Sequence, residues 1–269
     1  MRLGIVFIFL LGLCLGSFAN VLVDRGQKNQ DLNGRSRCDF CHYQLTWLDN
    51  IPVFSWFFLG GRCRKCRRKL SIQYPLVEIL MGVLFSLSAF QGGLSQSFWG
   101  WQELVKTTFF LFFSFLFLVI ALWDWKYMLI PDNLVWLGVI LAGLKVLVDI
   151  LVFKSCWWGW NCPWMQALMG AAVVFSFFFL MYWVSSGRWI GGGDVRLGIL
   201  VGFLAGLKGV YWLLMLAYLS GSLVAVFFLL AKKKKLSSRL PFGPFLLLAS
   251  FVLLLWEESF FQWTAQFFF

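Results

Sequence analysis

Long apolar stretches recur along the whole chain and constrain its fold more than any other feature. A helix that crosses a bilayer needs about 20 mostly apolar residues. The sequence contains eight candidate stretches: 3–23, 75–92, 105–123, 133–153, 165–186, 193–206, 209–230 and 243–260. Because 61% of the 269 residues are hydrophobic and only 13% are charged, a soluble core of this size could not bury the apolar surface. The pattern predicts an all-α polytopic membrane protein with about eight transmembrane helices.

Positive charge is concentrated in the loop that follows the first apolar stretch. Between Arg25 and Lys69 there are ten lysine and arginine residues but only three aspartates. Lysine and arginine accumulate in the cytoplasmic loops of membrane proteins, so we expect this loop to face the cytoplasm. Alternation along the chain makes three further loops cytoplasmic: 124–132, 187–193 and 231–241. The run Lys232–Lys235 in the last of them supports this count, and both termini are expected outside.

The net charge of +11 has the same explanation. In a soluble protein it would suggest nucleic acid, but here it follows the membrane topology, and we expect no nucleic-acid partner. Residues 157–164, on the opposite side, are rich in tryptophan, which is typical of an aromatic belt at a membrane interface. Cys156 and Cys162, in the same outer loop, are candidates for a disulfide bond.

Four of the seven cysteines form two C-x-x-C pairs in the basic loop. The pairs are Cys38 with Cys41 and Cys63 with Cys66. Each pair places two thiolates on one side of a tight turn, and two such turns complete the tetrahedron that a structural zinc ion prefers. Four free thiols, or a redox pair of the thioredoxin type, are the alternatives. The single histidine, His42, adjoins one pair and is expected at the surface rather than as a ligand.

The predicted organisation of the chain has three parts. Residues 1–23 form a first transmembrane helix, which is retained rather than cleaved as a secretory signal because the strongest basic loop follows it. Residues 24–74 form a small cysteine-rich cytoplasmic domain, for which bound metal would supply the folding energy that a small core lacks. Residues 75–269 form the remaining transmembrane domain.

Two aspartates at the ends of apolar stretches are the candidate catalytic residues. Asp124 ends the third stretch, and Asp194 opens the sixth after three glycines, Gly191–Gly193. Ionisable residues at membrane depth are costly and usually functional. Two carboxyl groups at close range share a proton, so that one can activate water as a base while the other protonates a leaving amide nitrogen. The glycines would allow the close backbone approach that such a pair needs.

Structural roles for these aspartates remain open from the sequence alone. Asp124 could pair with Lys126 at the membrane interface. Asp194 could be an acid at a helix N-terminus, stabilised by the helix dipole and paired with Arg196. Asp132 follows a proline and is expected to cap the fourth span.

The motifs around these residues resemble those of the prepilin peptidases, the type IV leader peptidases among the membrane aspartyl proteases with a GxGD motif. The resemblance covers nearly the whole chain, apart from the stretch Gly26–Gly34. A GxGD motif alone is a weak signal, whereas an ordered series of blocks is specific. The blocks are Gly16–Val21 leading to Arg25, Arg35–Cys41, Asp49–Trp56, Gly61–Cys66, Tyr74–Glu78, Asp124 with Ile130–Asp132, Gly191–Asp194 and Pro241–Phe245.

The resemblance implies a bacterial inner-membrane enzyme with two activities. Members of the family cut the basic leader from type IV prepilins and pseudopilins at the cytoplasmic face, and Asp124 and Asp194 occupy their catalytic positions. Members with the cysteine loop also N-methylate the new amino terminus with S-adenosylmethionine. Residues 24–74 are then the methyltransferase-associated domain and 75–269 the aspartyl peptidase domain. The residues that would hold the methyl donor are not assigned by the resemblance.

Two other functions compete with this one. The first is a non-enzymatic transporter or channel whose cytoplasmic loop is held together by zinc. Transporters usually carry charges in the middle of their spans, and only Lys145 and Asp149 come near that description here. The second is a methyltransferase that has lost its protease activity.

Overall fold

The fold consists of α-helices, and no strand occurs in the part of the chain that the structure describes. The computed structural model describes residues 2–28, 30–31, 34–94, 100–151, 159–160, 162–231 and 240–268. Their helices are α1 (Arg2–Gln27), α2 (Phe54–Phe58), α3 (Gln73–Ala89), α4 (Trp101–Tyr127), α5 (Asp132–Leu151), α6 (Pro163–Ser185), α7 (Gly192–Leu230) and α8 (Gly243–Phe268). They divide into two compact units, 1–119 and 120–269, and α4 contributes to both.

The first unit is built on the close packing of α1 against α3. Glycines allow the two backbones to touch: a Cβ atom on Gly12 would lie 2.7 Å from the Cα of Gly82, and one on Gly16 would lie 2.7 Å from the Cα of Glu78. The cysteine-rich loop runs from the end of α1 to the start of α3 and includes the short helix α2. The α1–α3 pair therefore holds both ends of this loop.

The second unit contains the end of α4 and helices α5 to α8, with α6 packed along α7. Small residues again bring backbones together, since a Cβ atom on Gly202 would lie 2.6 Å from the carbonyl oxygen of Gly170. The helix α7 is broken at Gly206, whose φ of 61° and ψ of 168° are not helical. Gly206 can adopt this conformation because it lacks a Cβ atom.

The prediction of an all-α polytopic membrane protein is confirmed. Six of the described helices are long and apolar enough to cross a membrane, and the segment Gly243–Trp256 is a shorter apolar helix. The sixth and seventh predicted spans, 193–206 and 209–230, correspond to two helical segments of α7 that meet at a kink at Gly206. All eight predicted stretches are therefore helical over most of their length.

Some predictions fall partly outside the described residues. Lys232–Lys235, part of the tryptophan-rich loop and Cys156 lie there. Cys162, the other member of the candidate disulfide pair, precedes α6, is buried and is disulfide-bonded. The predicted division by function into residues 1–23, 24–74 and 75–269 stays a prediction.

Candidate functional site

Asp124 lies in the last turn of α4 and is almost completely buried, with 6% of its surface exposed. Its carboxylate is held by the start of α8, where the backbone N–H of Gly243 donates to Asp124 Oδ2 at 3.0 Å. A Cβ atom on residue 243 would lie 2.5 Å from that oxygen, so any residue other than glycine would displace the carboxylate or the start of α8. The first residue of α8 therefore fixes the position of the Asp124 carboxylate.

Asp194 lies in the first turn of α7 and is partly buried. One carboxylate oxygen, Oδ2, turns back to accept the backbone N–H of Gly191 at 3.3 Å, as acidic residues in a first helical turn often do. The other oxygen, Oδ1, is fully buried and has no hydrogen-bond partner among the described residues. One buried oxygen of Asp194 is thus left for a further hydrogen-bond partner.

The two carboxylates lie close enough to interact electrostatically, although 69 positions intervene in the sequence. Ile130 lies between the segments that carry them: its side chain is 3.1 Å from where a Cβ atom on Gly193 would be and 3.4 Å from one on Gly243. Of the three glycines, Gly193 is the one that lets the start of α7 approach Ile130 closely. The structure brings Asp124 and Asp194 together within the second unit.

The ion pair of Arg196 differs from the structural alternative that the sequence offered for Asp194. The guanidinium of Arg196 pairs with Asp132, which is 46% exposed in its side chain, rather than with Asp194. Asp132 is the first residue of α5, and its role as the cap of this helix stays a prediction. Arg196, a residue of α7, thus pairs with an acid other than Asp194.

Aromatic residues that sequence reasoning did not single out surround the aspartates. Tyr218 of α7 interacts electrostatically with Asp194, and its ring lies 5.1 Å from that of Phe242. Phe242 also contacts Phe178 at 6.0 Å and immediately precedes Gly243. Phe242 and Gly243 belong to the block Pro241–Phe245 that carries the family resemblance, so the sequence pointed to these residues but assigned them no role. Nothing in the sequence pointed to Tyr218.

The four cysteines of the basic loop form one cluster, as predicted, and their sulfur atoms all lie within 4.8 Å of one another. Cys38 Sγ is 3.9 Å from Cys66 Sγ, and Cys41 Sγ is 4.0 Å from Cys63 Sγ. Sulfur atoms bound at about 2.3 Å to one tetrahedral zinc ion lie about 3.8 Å apart. The cluster therefore has the dimensions of a metal site, and all four thiols are free of disulfides. His42 is exposed and does not belong to it.

The two cysteine turns have the same backbone geometry. In the first, Cys38 N donates to Tyr43 O at 2.9 Å and His42 N to Cys38 O at 2.9 Å. In the second, Cys63 N donates to Arg68 O at 2.9 Å and Arg67 N to Cys63 O at 3.0 Å. Matching turns of this kind present two pairs of thiols to a common point.

The charge state of the thiols also fits a cation. The backbone N–H of Cys66 lowers the pKa of Cys63 to about 7, although burial opposes this shift. At Cys66 the backbone N–H of Arg68 favours the thiolate, but burial and the other three thiols raise the pKa to about 11. All four cysteines could be thiolates at neutral pH only with a cation between them, because four negative charges this close repel one another.

Acidic residues hold the cysteine-rich loop in place. Glu78 of α3 is buried, accepts the backbone N–H of Val53 at 2.6 Å and also bonds to Ser17 of α1. Val53 has a φ of 64°, which costs free energy in a β-branched residue. Within the loop, burial alone would raise the pKa of Asp49, but hydrogen bonds from Thr46 and Arg64 outweigh it and lower that pKa.

Two protein-family models match parts of this chain. Residues 110–230 match the model described as the type IV leader peptidase family. Residues 10–91 match the model described as the bacterial peptidase A24 N-terminal domain. The chain belongs to the type IV leader peptidase family. The second match contains the cysteine loop, and the first contains both Asp124 and Asp194.

Curated relatives of this type IV leader peptidase family member carry the name prepilin leader peptidase/N-methyltransferase. The protein of Myxococcus xanthus is 34% identical over 232 residues, which are 84% of this chain and 63% of that protein. The protein of Stutzerimonas stutzeri is 28% identical over 93% of this chain and 89% of its own length. The protein of Aeromonas hydrophila is 28% identical over 95% and 92%. No solved structure gave a significant match. These relatives do not favour the transporter or channel alternative.

Proposed function

We propose that this chain is a membrane aspartyl endopeptidase that removes the leader of type IV prepilins and pseudopilins and then N-methylates the new amino terminus. The observation that carries the peptidase is the pairing of Asp124 with Asp194, each held through one oxygen by a backbone N–H. The names of the relatives support both activities and the choice of substrates. The protein would act in the bacterial inner membrane.

The cut follows from two carboxyl groups that share one proton. The ionised carboxyl takes a proton from water, and the water oxygen forms a bond to the carbonyl carbon of the peptide. The protonated carboxyl gives its proton to the amide nitrogen, and the carbon–nitrogen bond breaks. The backbone bonds from Gly243 and Gly191 hold both groups in position, and Asp194 Oδ1 remains available to bind water or peptide.

The location of the pair suits a substrate that is itself a membrane helix. Asp124 lies near the end of α4 and Asp194 at the start of α7, so the carboxylates lie at the ends of spans rather than in the middle. A prepilin joins an apolar helix to a basic leader, and its cleavage point lies where the helix leaves the membrane. We place this end of the spans at the cytoplasmic face, because the basic loop 24–74 is expected on that side.

The proposed topology, with both termini outside, predicts opposite behaviour of two reporters. Alkaline phosphatase fused after Phe269 should be active in the bacterial cell, because it folds only outside the cytoplasm. A green fluorescent protein at the same point should be dark. A bright fluorescent fusion with an inactive phosphatase would place the C-terminus inside and reverse the assigned orientation. Fusions in the loop 232–239 are the matched control and should give the opposite pair of results.

We further propose that the cysteine cluster holds a structural zinc ion and that S-adenosylmethionine is the methyl donor. Cys38, Cys41, Cys63 and Cys66 would occupy all four positions of a tetrahedral zinc, so the metal would stabilise the loop and not take part in the chemistry. When bound, the donor supplies a methyl group that leaves its sulfonium sulfur, which keeps the bonding electrons, and joins the amine nitrogen, which releases a proton to water.

Replacing Cys63 with serine should release the metal. A serine hydroxyl is a poor zinc ligand, and loss of one of four ligands removes the folding energy that the ion supplies to the loop. The purified wild type should contain one zinc ion per chain by mass spectrometry of the metal content, and Cys63→Ser should contain about one tenth of that or less. Cys14→Ser is the matched control, because Cys14 lies in α1 outside the cluster. A wild type without metal would contradict the zinc assignment.

A further inference from the structure

A cavity of about 710 Å³ lies in the first unit, bounded by α1, the cysteine-rich loop and the start of α3. Sites for small molecules and cofactors are typically about 300–1,000 Å³ in volume. The lining carries charges of both signs, from carboxylates such as Asp24 and Glu78 and from guanidinium groups such as Arg25 and Arg37. A cavity of this kind suits a small molecule that itself carries both charges.

Five of the sequence blocks that carry the family resemblance meet at this cavity, including Arg35–Cys41 and Gly61–Cys66. Ser17 and Asn20 come from the block Gly16–Val21, and Trp56 ends the block Asp49–Trp56. The block Tyr74–Glu78 contributes its first and last residues. The proposed peptide cleavage uses residues of the second unit and none of these blocks. Their shared location indicates a second site.

Two buried polar atoms in the lining lack partners. Asn20 is 3% exposed, and its Nδ2 donates to the carbonyl oxygens of Gly16 at 3.3 Å and Tyr74 at 3.4 Å. Its Oδ1 has no partner among the described residues, and neither has the indole Nε1 of Trp56. Buried polar atoms are nearly always hydrogen-bonded. Two residues that line the cavity therefore each contain a buried polar atom, one acceptor and one donor, without the partner that such atoms normally have.

The wall that carries Trp56 is fixed in position. Trp56 lies on α2, which begins directly after Val53. The bond from Val53 N–H to Glu78 Oε2, at 2.6 Å, ties the start of this helix to α3. The other face of the Trp56 ring contacts Gly61, where a Cβ atom would lie 2.8 Å from the ring. The indole is thus held in place before any ligand arrives, as a binding site requires.

We propose that this cavity binds the methyl donor, S-adenosylmethionine, with Asn20 Oδ1 and Trp56 Nε1 as hydrogen-bonding partners of the ligand. The inference rests on the proposed methyltransferase function. The donor combines a cationic sulfonium, an amino-acid group with both charges, and an adenine with both donor and acceptor atoms. The mixed charges and the two unpaired atoms of the lining match this chemistry.

The test measures binding rather than turnover. S-adenosylhomocysteine, the unreactive product, is titrated by calorimetry into the full-length chain in detergent. Trp56→Phe keeps an aromatic ring but removes the N–H donor, and we expect its dissociation constant to rise about tenfold. Asn20→Ala should weaken binding at least as much. Trp47→Phe is the matched control, because Trp47 lies in the same loop, is 71% exposed and does not line the cavity.

The possible outcomes separate this inference from the function on which it rests. Weaker binding in Trp56→Phe, with unchanged zinc content and unchanged binding in Trp47→Phe, supports the cavity. A wild type that methylates cleaved pilin while Trp56→Phe and Asn20→Ala bind S-adenosylhomocysteine normally overturns the cavity assignment alone. A wild type that neither methylates nor binds S-adenosylhomocysteine, yet cuts prepilin, overturns the methyltransferase function and the cavity assignment together.

Discussion

Replacing either Asp124 or Asp194 with asparagine should lower the rate of prepilin cleavage by about a thousandfold or more, because an amide can neither take up nor share the catalytic proton. The two variants should be equally inactive, and the double variant should be no worse, since the carboxyls act as one unit. Purified protein in detergent is incubated with a prepilin, and leader removal is followed by mass spectrometry.

Asp132→Asn is the matched control for these variants. Asp132 is also an acid beside the membrane-spanning helices, but it is half-exposed and pairs with Arg196. An exposed ion pair contributes about 1 kcal/mol or less to stability, so Asp132→Asn should cut at close to the wild-type rate. Full activity of either Asp124→Asn or Asp194→Asn would exclude the aspartyl mechanism.

Replacing Gly243 with alanine should lower the rate of prepilin cleavage about a hundredfold, although Gly243 has no side chain that could take part in the reaction. The added methyl group would lie 2.5 Å from Asp124 Oδ2, so either the carboxylate or the start of α8 must move. The hydrogen bond of 3.0 Å from Gly243 N–H to Asp124 would then be lost or lengthened. A displacement of about 1 Å can cost a hundredfold in rate. The measurement is the initial rate of leader removal with saturating prepilin.

Gly143→Ala tests whether this effect is specific to the site. Gly143 also lies in a helix of the second unit, α5, but a Cβ atom there would meet no neighbouring atom within 4 Å. This variant should retain wild-type cleavage and should unfold at the same temperature or slightly higher, because alanine favours helix more than glycine does. Wild-type cleavage by Gly243→Ala would show that Asp124 needs no support from α8.

Local sequence patterns predicted the helices and the cysteine cluster well, because both depend on short-range regularities. Apolar stretches of bilayer length define spans, and two C-x-x-C turns bring four thiols together with little help from the rest of the chain. The break at Gly206 was expected as a short loop between two spans. In the structure the two helical segments meet at a single non-helical glycine, because one residue with positive φ is enough to end one helical segment and start the next.

These local patterns could not predict contacts between segments that are distant in the sequence. Arg196 was considered as a partner of Asp194, two positions away, yet it pairs with Asp132 across 64 positions. The support of Asp124 by Gly243 spans 119 positions. The proximity of Asp124 and Asp194 was inferred from the family motifs and from topology, whereas their distance could not be read from spacing. Such pairings depend on helix packing, which periodicity within one helix does not determine.

The anchoring of Asp124 by α8 has a consequence for biogenesis. A nascent chain emerges from the ribosome beginning with its N-terminus, so α4 and α7 are made and inserted while α8 is still missing. Such a chain already contains both aspartates, but the N–H group that holds Asp124 has not been synthesised. In the proposed mechanism, a chain becomes proteolytically active only once α8 has been made, so a chain released from the ribosome before α8 could not cut its neighbours in the membrane.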